Sequence, residues 1–91
     1  MGKHIVVSGH VQGVGFRFKI QQKARQYGLV GWVRNNADGK VEMEIAGSEK
    51  DMKRMLNDVS TGFDRVIHVD EVQVNNTDRT QQDFNEFVIE P

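Results

Sequence analysis

The chain contains no cysteine, so disulfide bonds, thiolate catalysis and zinc sites built from thiolates are excluded. It lacks an apolar run of about 18 residues, and we expect no segment that spans a membrane. The N-terminus has no apolar stretch typical of secretory signals, which favours a cytoplasmic protein. Neither charge sign dominates: 12 Lys and Arg against 13 Asp and Glu give a formal net charge of −1. Nucleic-acid-binding proteins usually carry a basic surplus, so we expect no nucleic acid as partner.

The 91 residues are enough for one domain, residues 1–91, and their apolar patterns predict the order β-α-β-β-α-β. Alternating or β-branched apolar residues predict strands, and apolar residues three or four positions apart predict helices. The predicted elements are a strand over 3–9, a helix over 16–27, strands over 29–35 and 40–46, a helix that Ser48 caps and Gly62 ends, and a strand over 65–74. Residues 75–83 are polar and expected to be mobile. Residues 84–89 have the alternation of a short terminal strand, whose pairing the pattern leaves open.

Two β-α-β units joined by a hairpin are typical of the α+β class. They predict a ferredoxin-like, two-layer α/β sandwich with one antiparallel sheet and both helices on one face. Each β-α-β crossover is expected to be right-handed, and the hairpin then places the third strand between the first and the second. The first two strands then run in the same direction, so their C-terminal ends lie at the same end of the sheet. The alternation of the fourth strand slips near Asp70 and Glu71, which is consistent with a β-bulge.

The glycine loop, residues 9–17 (GHVQGVGFR), joins the first strand to the first helix and contains Gly9, Gly13 and Gly15. Glycines let the backbone turn where a Cβ would clash, and they let N–H groups face inward. The first turn of the helix adds unpaired N–H groups and a partial positive charge. Arg17 adds a planar fork of donors that matches phosphate or carboxylate oxygens. These residues predict a loop that binds a dianion the size of phosphate.

Asn35 ends the second strand, and we expect it to face the glycine loop across roughly 10 Å, which is two strand spacings. A carboxamide does not titrate near neutral pH, but it can hold a water molecule by hydrogen bonds. Phosphoryl transfer requires mainly positioning and charge neutralisation. No cluster of carboxylates stands at ligand spacing near the loop, and the three histidines are scattered, so no metal site is predicted. The pattern favours hydrolysis of a labile phosphate, such as a carboxylic–phosphoric mixed anhydride.

The glycine loop closely resembles the acylphosphatase signature G-x-V-Q-G-V-x-F/Y-R, and residues 31–47 (GWVRNNADGKVEMEIAG) resemble that family's second signature. The resemblance implies a hydrolase that needs no metal or cofactor and cleaves small acyl phosphates to carboxylate and phosphate. It implies that Arg17 binds the phosphate, that Asn35 orients the attacking water, and that the substrate's own phosphate accepts the proton. The residues implied as the phosphate-binding segment are Val11, Gln12, Gly13, Val14, Gly15, Phe16 and Arg17.

These residues also have structural interpretations. Asn35 precedes Asn36 and a turn, where asparagine is common. The side chain of Gln12 is interpreted as a brace of the loop rather than a ligand. His10 is expected to be a spectator, and Trp32 is expected to pack rather than to line the site.

The favoured function is an enzyme that acts as a monomer, and the sequence leaves two alternatives. The first is a non-catalytic module that binds a small anion or a partner protein. Acylphosphatase-like domains also occur inside a large carbamoyl-transferring protein. Turnover of acetyl phosphate would distinguish an enzyme from a non-catalytic module. The second is RNA binding on the open face of the sheet, which requires exposed aromatic residues on the two central strands. The outward residues on those strands are His4, Val6, Ser8, Lys40, Glu42 and Glu44, and none is aromatic.

Overall fold

The structure is a computed structural model that describes residues 2–91, in which five strands form one sheet beside two α-helices. The elements are β1 Gly2–His10, α1 Phe16–Gln26, β2 Val30–Asn35, β3 Val41–Ala46, α2 Glu49–Thr61, β4 His68–Thr77, a short 3-10 turn Gln81–Asp83, and β5 Phe87–Ile89. The predicted ferredoxin-like α/β sandwich and the terminal strand are confirmed. Among residues 2–91, no helix is both long and apolar enough to cross a membrane.

The strands lie in the order β4-β1-β3-β2-β5. β1 pairs antiparallel with β3 and β4, and β2 pairs antiparallel with β3, so β3 lies between β1 and β2 as predicted. β5 departs from the predicted antiparallel sheet because it pairs parallel with β2. The reason is its connection: residues 78–86 run from the β4 edge to the opposite edge, so β5 starts at the same end of the sheet as β2. The ends of β1, β2 and β5 consequently meet at one end of the sheet.

Buried apolar residues from both helices and the sheet form one core. The apolar stripes predicted for the two helices are confirmed as buried surfaces. α1 buries Phe16, Ile20 and Ala24, and α2 buries Met52, Met55 and Val59. The strands contribute Ile5, Val7, Val33, Val41, Met43 and Ile45. This packing fixes the start of α1 against the ends of β1 and β2.

A β-bulge lies just before the glycine loop. The register between β1 and β4 shifts between Ser8 and Gly9, so Asp70 has no partner in β1. Gly9 has a φ of 134°, and a Cβ at this position would lie 2.1 Å from the carbonyl oxygen of His68. Only glycine fits such an approach of two backbones. The slip in alternation near Asp70 therefore corresponds to a bulge, as the sequence indicates.

β4 differs from its predicted boundaries at both ends. It spans His68–Thr77 rather than 65–74. The Asp64 carboxylate accepts hydrogen bonds from the N–H groups of residues 66 and 67, so these residues turn instead of joining the sheet. The polar segment predicted over 75–83 begins as part of β4, and its first three residues pair with β1. An edge strand is held by main-chain bonds and does not need apolar alternation on both faces.

Candidate active site

The glycine loop enters α1 through two left-handed backbone positions. Gly13 and Gly15 have φ values of 76° and 80°, a region that favours glycine. A Cβ built at either position would meet nothing within 4 Å, so the backbone conformation, not crowding, requires glycine there. Gly15 is the N-cap of α1, and no side chain among residues 2–91 caps this helix. The first N–H groups of α1 therefore have no capping partner and present the partial positive charge of a helix N-terminus.

A cavity of about 190 Å³ lies where the glycine loop, the start of α1 and the end of β2 meet. This Arg17–Asn35 cavity is lined by Val11, Gly13, Gly15, Phe16, Arg17, Phe18, Asn35 and Ile89. The structure thus brings both predicted catalytic residues together with Val11, Gly13, Gly15 and Phe16 of the predicted phosphate-binding segment. The other two residues of that segment, Gln12 and Val14, are not part of the lining.

Arg17 is a half-buried cation that lacks an ionic partner in the described part of the chain. Its Nη1 donates to the carbonyl oxygen of Glu90 at 3.5 Å, the outer limit of a hydrogen bond. A guanidinium has five N–H donors, so most of them are left for a ligand. A positive charge in the first turn of a helix opposes the helix dipole, and an anion in the cavity would relieve this repulsion.

Asn35 lines the cavity and has a buried polar atom in its side chain. It is the last residue of β2, and strand alternation puts it on the same, helix-covered side as Val33. Its Oδ1 is the one buried side-chain nitrogen or oxygen atom among residues 2–91 that has no hydrogen-bond partner. Leaving such a group unsatisfied costs about 1–3 kcal/mol. Buried polar groups in folded proteins are normally satisfied, so this carboxamide, in the lining of the cavity, is a candidate to hold a water or a ligand there.

Gln12 joins the glycine loop to the turn between β2 and β3. Its Nε2 donates to the carbonyl oxygens of Asn36 at 2.8 Å and Lys40 at 2.9 Å. Both acceptors are close in sequence to Asn35, since Asn36 follows it directly. The interpretation of this side chain as a brace is therefore confirmed. The brace connects the two segments that supply Arg17 and Asn35.

The groups with shifted pKa values lie outside the Arg17–Asn35 cavity. On the open face of the sheet, the pKa of Glu42 is lowered. The main cause is its hydrogen bond with His4, and a hydrogen bond with Arg34 acts in the same direction. A hydrogen bond from Lys19 lowers the pKa of Asp64. No lining residue of the cavity is His, Asp or Glu. In residues 2–91, no group of three or more such side chains is placed to hold a metal ion. The cavity therefore has the groups to bind an anion and hold a water, but no side-chain base.

Phe18 and Ile89 line the cavity but are absent from the predicted site. Phe18 is 62% exposed and lies off the buried stripe of α1. The sequence offers one indication of its position: it is an apolar residue outside that stripe and directly follows Arg17, a predicted site residue. Ile89 reaches the cavity through the parallel pairing of β5, for which the sequence has no local signal. His10 ends β1 outside the lining and is exposed. Trp32 lies on the open face of the sheet, where its ring centre is 5.0 Å from the guanidinium carbon of Arg34.

The acylphosphatase family model matches residues 3–89 of the chain. The chain is 43% identical over 84 residues to the acylphosphatase of Marinobacter nauticus, a match that covers 92% of this chain and 89% of that protein. It is 48% identical over 59 residues to the acylphosphatase of Geobacillus kaustophilus. The second match covers 65% of this chain and 63% of the Geobacillus protein, slightly less than two thirds of its length.

The fold is similar to a solved structure as well. The crystal structure of the acylphosphatase from Bacillus subtilis superposes with a TM-score of 0.92 at 32% identity, covering 99% of this chain and 98% of that one. The family match includes the glycine loop, β2 and β5, which are the segments that form the Arg17–Asn35 cavity. Family match, sequence identity and fold agree along almost the whole chain, which therefore belongs to the acylphosphatase family.

Proposed function

We propose that the protein is an acylphosphatase, a hydrolase that cleaves the mixed anhydride of a carboxylic acid and phosphate. The main support is that three groups meet at one cavity: the guanidinium of Arg17, the uncapped N-terminus of α1, and the carboxamide of Asn35, whose buried Oδ1 has no partner. The first two suit a phosphate dianion, and the third suits a neutral hydrogen-bonding molecule beside it. Proteins similar to this chain are named for the same activity.

In the proposed complex, the phosphoryl group of the substrate binds in the glycine loop. Backbone N–H groups of residues 11–17 donate to its oxygens, and Gln12 and Val14 take part only through their backbone because their side chains are not part of the cavity lining. The planar guanidinium of Arg17 donates to two phosphoryl oxygens. Hydrogen bonds of this charge-assisted kind are about twice as strong as neutral ones. Together they neutralise the dianion without a metal ion or another cofactor.

In the proposed reaction, the carboxamide of Asn35 holds the attacking water. The water oxygen bonds to phosphorus while the bond between phosphorus and the acyl oxygen breaks, and the electron pair leaves with the carboxylate. One proton of the water passes to a phosphoryl oxygen, because no lining side chain is a base near neutral pH. The products are a carboxylate and dihydrogen phosphate, which together have the same charge as the substrate dianion.

The leaving group decides which phosphates the site can hydrolyse. A carboxylate is a weak base, with a conjugate-acid pKa of about 4, and it leaves without protonation. The alkoxide of a phosphate monoester is far more basic, and its departure requires an acid or a metal ion. The cavity lining supplies no carboxyl or imidazole group as that acid. We infer small acyl phosphates, not monoesters, as the substrate class.

The protein is further proposed to act as a single-domain, cytoplasmic monomer without a nucleic-acid partner. The formal net charge of −1 supports the last point, since a phosphate backbone attracts a basic surplus. The outward residues of β1 and β3, among them His4, Val6 and Glu42, include no aromatic residue on which bases would stack.

The proposal is tested by phosphate release from acetyl phosphate and benzoyl phosphate, with EDTA present and spontaneous hydrolysis subtracted. We expect turnover that EDTA does not reduce, competitive inhibition by inorganic phosphate, and no release from glycerol phosphate as the monoester control. Phosphate binding seen by calorimetry without turnover of either acyl phosphate would refute the proposal. That result would indicate a non-catalytic, anion-binding module instead.

A further inference from the structure

Phe18 is the most exposed large apolar residue among residues 2–91, with 62% of its surface accessible. It is the third residue of α1 and points away from the stripe formed by Phe16, Ile20 and Ala24. Scattered exposed apolar side chains are common and need no explanation by themselves. What separates Phe18 from Val66, which is 60% exposed, is that Phe18 lines the Arg17–Asn35 cavity and Val66 does not.

Phe18 forms a wall shared by two depressions. On one side it lines the Arg17–Asn35 cavity. On the other it lines a depression of about 250 Å³, the α1 groove, together with Gln21, Gln22 and Arg25. These residues stand three, four and seven positions after Phe18, so they form one surface stripe of the helix. A molecule bound in the cavity and larger than its phosphoryl group would extend across the ring of Phe18 toward this groove.

The ring of Phe18 is thus an exposed apolar surface that the cavity offers to the acyl group of a substrate. In an in-line displacement the leaving group lies opposite the attacking water, and so on the side of phosphorus away from Asn35. The apolar residues at the cavity that are not fully buried are Phe18 and the half-buried Ile89. Resting on the proposed function, we propose that Phe18 is a specificity-determining residue that binds the acyl group and favours flat, apolar acyl groups over acetyl.

Two of the three polar side chains that line the α1 groove, Arg25 and Gln21, already make hydrogen bonds. The Nη2 of Arg25 donates to the carboxylate of Glu86 at 3.3 Å and to the carbonyl oxygen of Phe87 at 3.2 Å. The Nε2 of Gln21 donates to the same carbonyl oxygen at 3.2 Å. If the acyl group had a free carboxylate of its own, the positive charge of Arg25 would already be paired with Glu86. An uncharged aromatic group would contact the ring of Phe18 and displace water from it.

The test compares kcat/KM for benzoyl phosphate with kcat/KM for acetyl phosphate. In Phe18→Ala we expect the benzoyl-to-acetyl ratio to fall about three- to tenfold, the range of a single aromatic contact, mainly through a higher KM for benzoyl phosphate. Phe18→Tyr keeps the ring, and we expect it to keep the ratio. Val66→Ala, which removes an equally exposed apolar side chain elsewhere, should leave the ratio as in the wild type.

An unchanged ratio in Phe18→Ala would overturn the inference, and so would an equal loss with both substrates. Urea unfolding of each variant separates an effect on folding from one on the acyl group. If Phe18→Ala were unstable, a normal ratio in Phe18→Tyr together with a lowered ratio in Phe18→Leu would still support a ring contact. Failure of the wild type to hydrolyse either substrate would refute the proposed function, and the inference with it.

Discussion

Asn35 and Arg17 face one cavity, yet the chemistry proposed for them differs. Arg17 is a charged donor, and in the proposed reaction it would contact the phosphoryl group in every state, so it is expected to contribute to binding and to turnover. Asn35 is neutral, and its unpartnered Oδ1 is suited to hold a water that inorganic phosphate alone does not need. Truncation of each residue should therefore change different kinetic parameters.

Asn35→Ala is expected to lower kcat for acetyl phosphate by about a hundredfold or more, the range seen when one catalytic hydrogen-bonding group is removed. The inhibition constant for inorganic phosphate should remain close to the wild-type value. Steady-state kinetics with phosphate as a competitive inhibitor measures both quantities. An equal loss of turnover and of phosphate affinity would assign Asn35 to binding instead of to the attacking water.

Arg17→Ala is expected to abolish turnover and to weaken inhibition by phosphate in the same variant. The reason is that the guanidinium supplies the only cationic side chain in the cavity lining. Arg17→Lys is the matched control, since it keeps the charge but loses the planar fork, and intermediate phosphate affinity is expected. Tight phosphate inhibition in Arg17→Ala would contradict the proposed binding mode.

At the scale of single residues, Arg17, Asn35 and the glycines could be predicted as site residues because each belongs to a pattern that is local in the chain. Gly13 and Gly15 require left-handed backbone, and such positions are readable from sequence. Phe18 and Ile89 could not be assigned in the same way. Phe18 faces the cavity because of how α1 is rotated, and Ile89 because a distant strand pairs beside β2.

Among the elements, the glycine loop and the turn after β2 are coupled through one side chain, that of Gln12. Its two hydrogen bonds to the backbone of residues 36 and 40 fix the turn that follows Asn35. We expect Gln12→Ala to lower kcat by about tenfold and stability by about 1–2 kcal/mol. The inhibition constant for phosphate should change much less than kcat, because Arg17 and the helix N-terminus stay in place.

A double-mutant cycle decides whether Gln12 acts through Asn35. If it does, adding Gln12→Ala to Asn35→Ala should lower kcat little further, because the group being positioned is already gone. Multiplication of the two single effects would mean that Gln12 acts on turnover independently of Asn35. Urea unfolding of the two single variants and the double variant measures their stability, so that a loss of stability can be distinguished from an effect on the position of Asn35.

Elements with strong internal periodicity matched their predicted type, and elements held by distant partners were harder to place. α1 and α2 each bury a regular apolar stripe that is visible in the sequence. β5 has only three residues, and its parallel pairing with β2 follows from the path of residues 78–86, which no local pattern encodes. The polar end of β4 pairs with β1 through its backbone, so the pattern of its side chains does not predict this part of the strand.

In the whole molecule, the open face of the sheet contributes a pH-dependent part of the stability. Glu42 accepts a hydrogen bond from Arg34 at 2.9 Å and lies 2.5 Å from the ring nitrogen Nε2 of His4. The hydrogen bond with His4 is the largest cause of its lowered pKa. A carboxyl group whose pKa is lowered on folding stabilises the native state above its ordinary pKa. This contribution is lost as the pH falls through the lowered value.

Glu42→Gln is therefore expected to be less stable than the wild type by about 1–2 kcal/mol at pH 7, and by less at pH 3. Urea unfolding at the two pH values measures the difference. Glu49→Gln is the control, because Glu49 is exposed and lies 3.7 Å from Lys3, and surface pairs of this kind contribute little. A destabilisation of Glu42→Gln that is equal at both pH values would contradict the role of its charge.

The position of β1 has a consequence for how the chain acquires its structure during synthesis. β1 leaves the ribosome before both of its neighbours in the sheet, β3 and β4, and β4 is translated much later than β1. Until β4 has emerged, one side of this apolar strand is an open edge that other polypeptides could pair with. Closure of this part of the sheet must also await β4, and such long-range pairing makes folding slow. This domain is therefore most exposed to aggregation, and most suited to chaperone binding, in the interval before β4 is made.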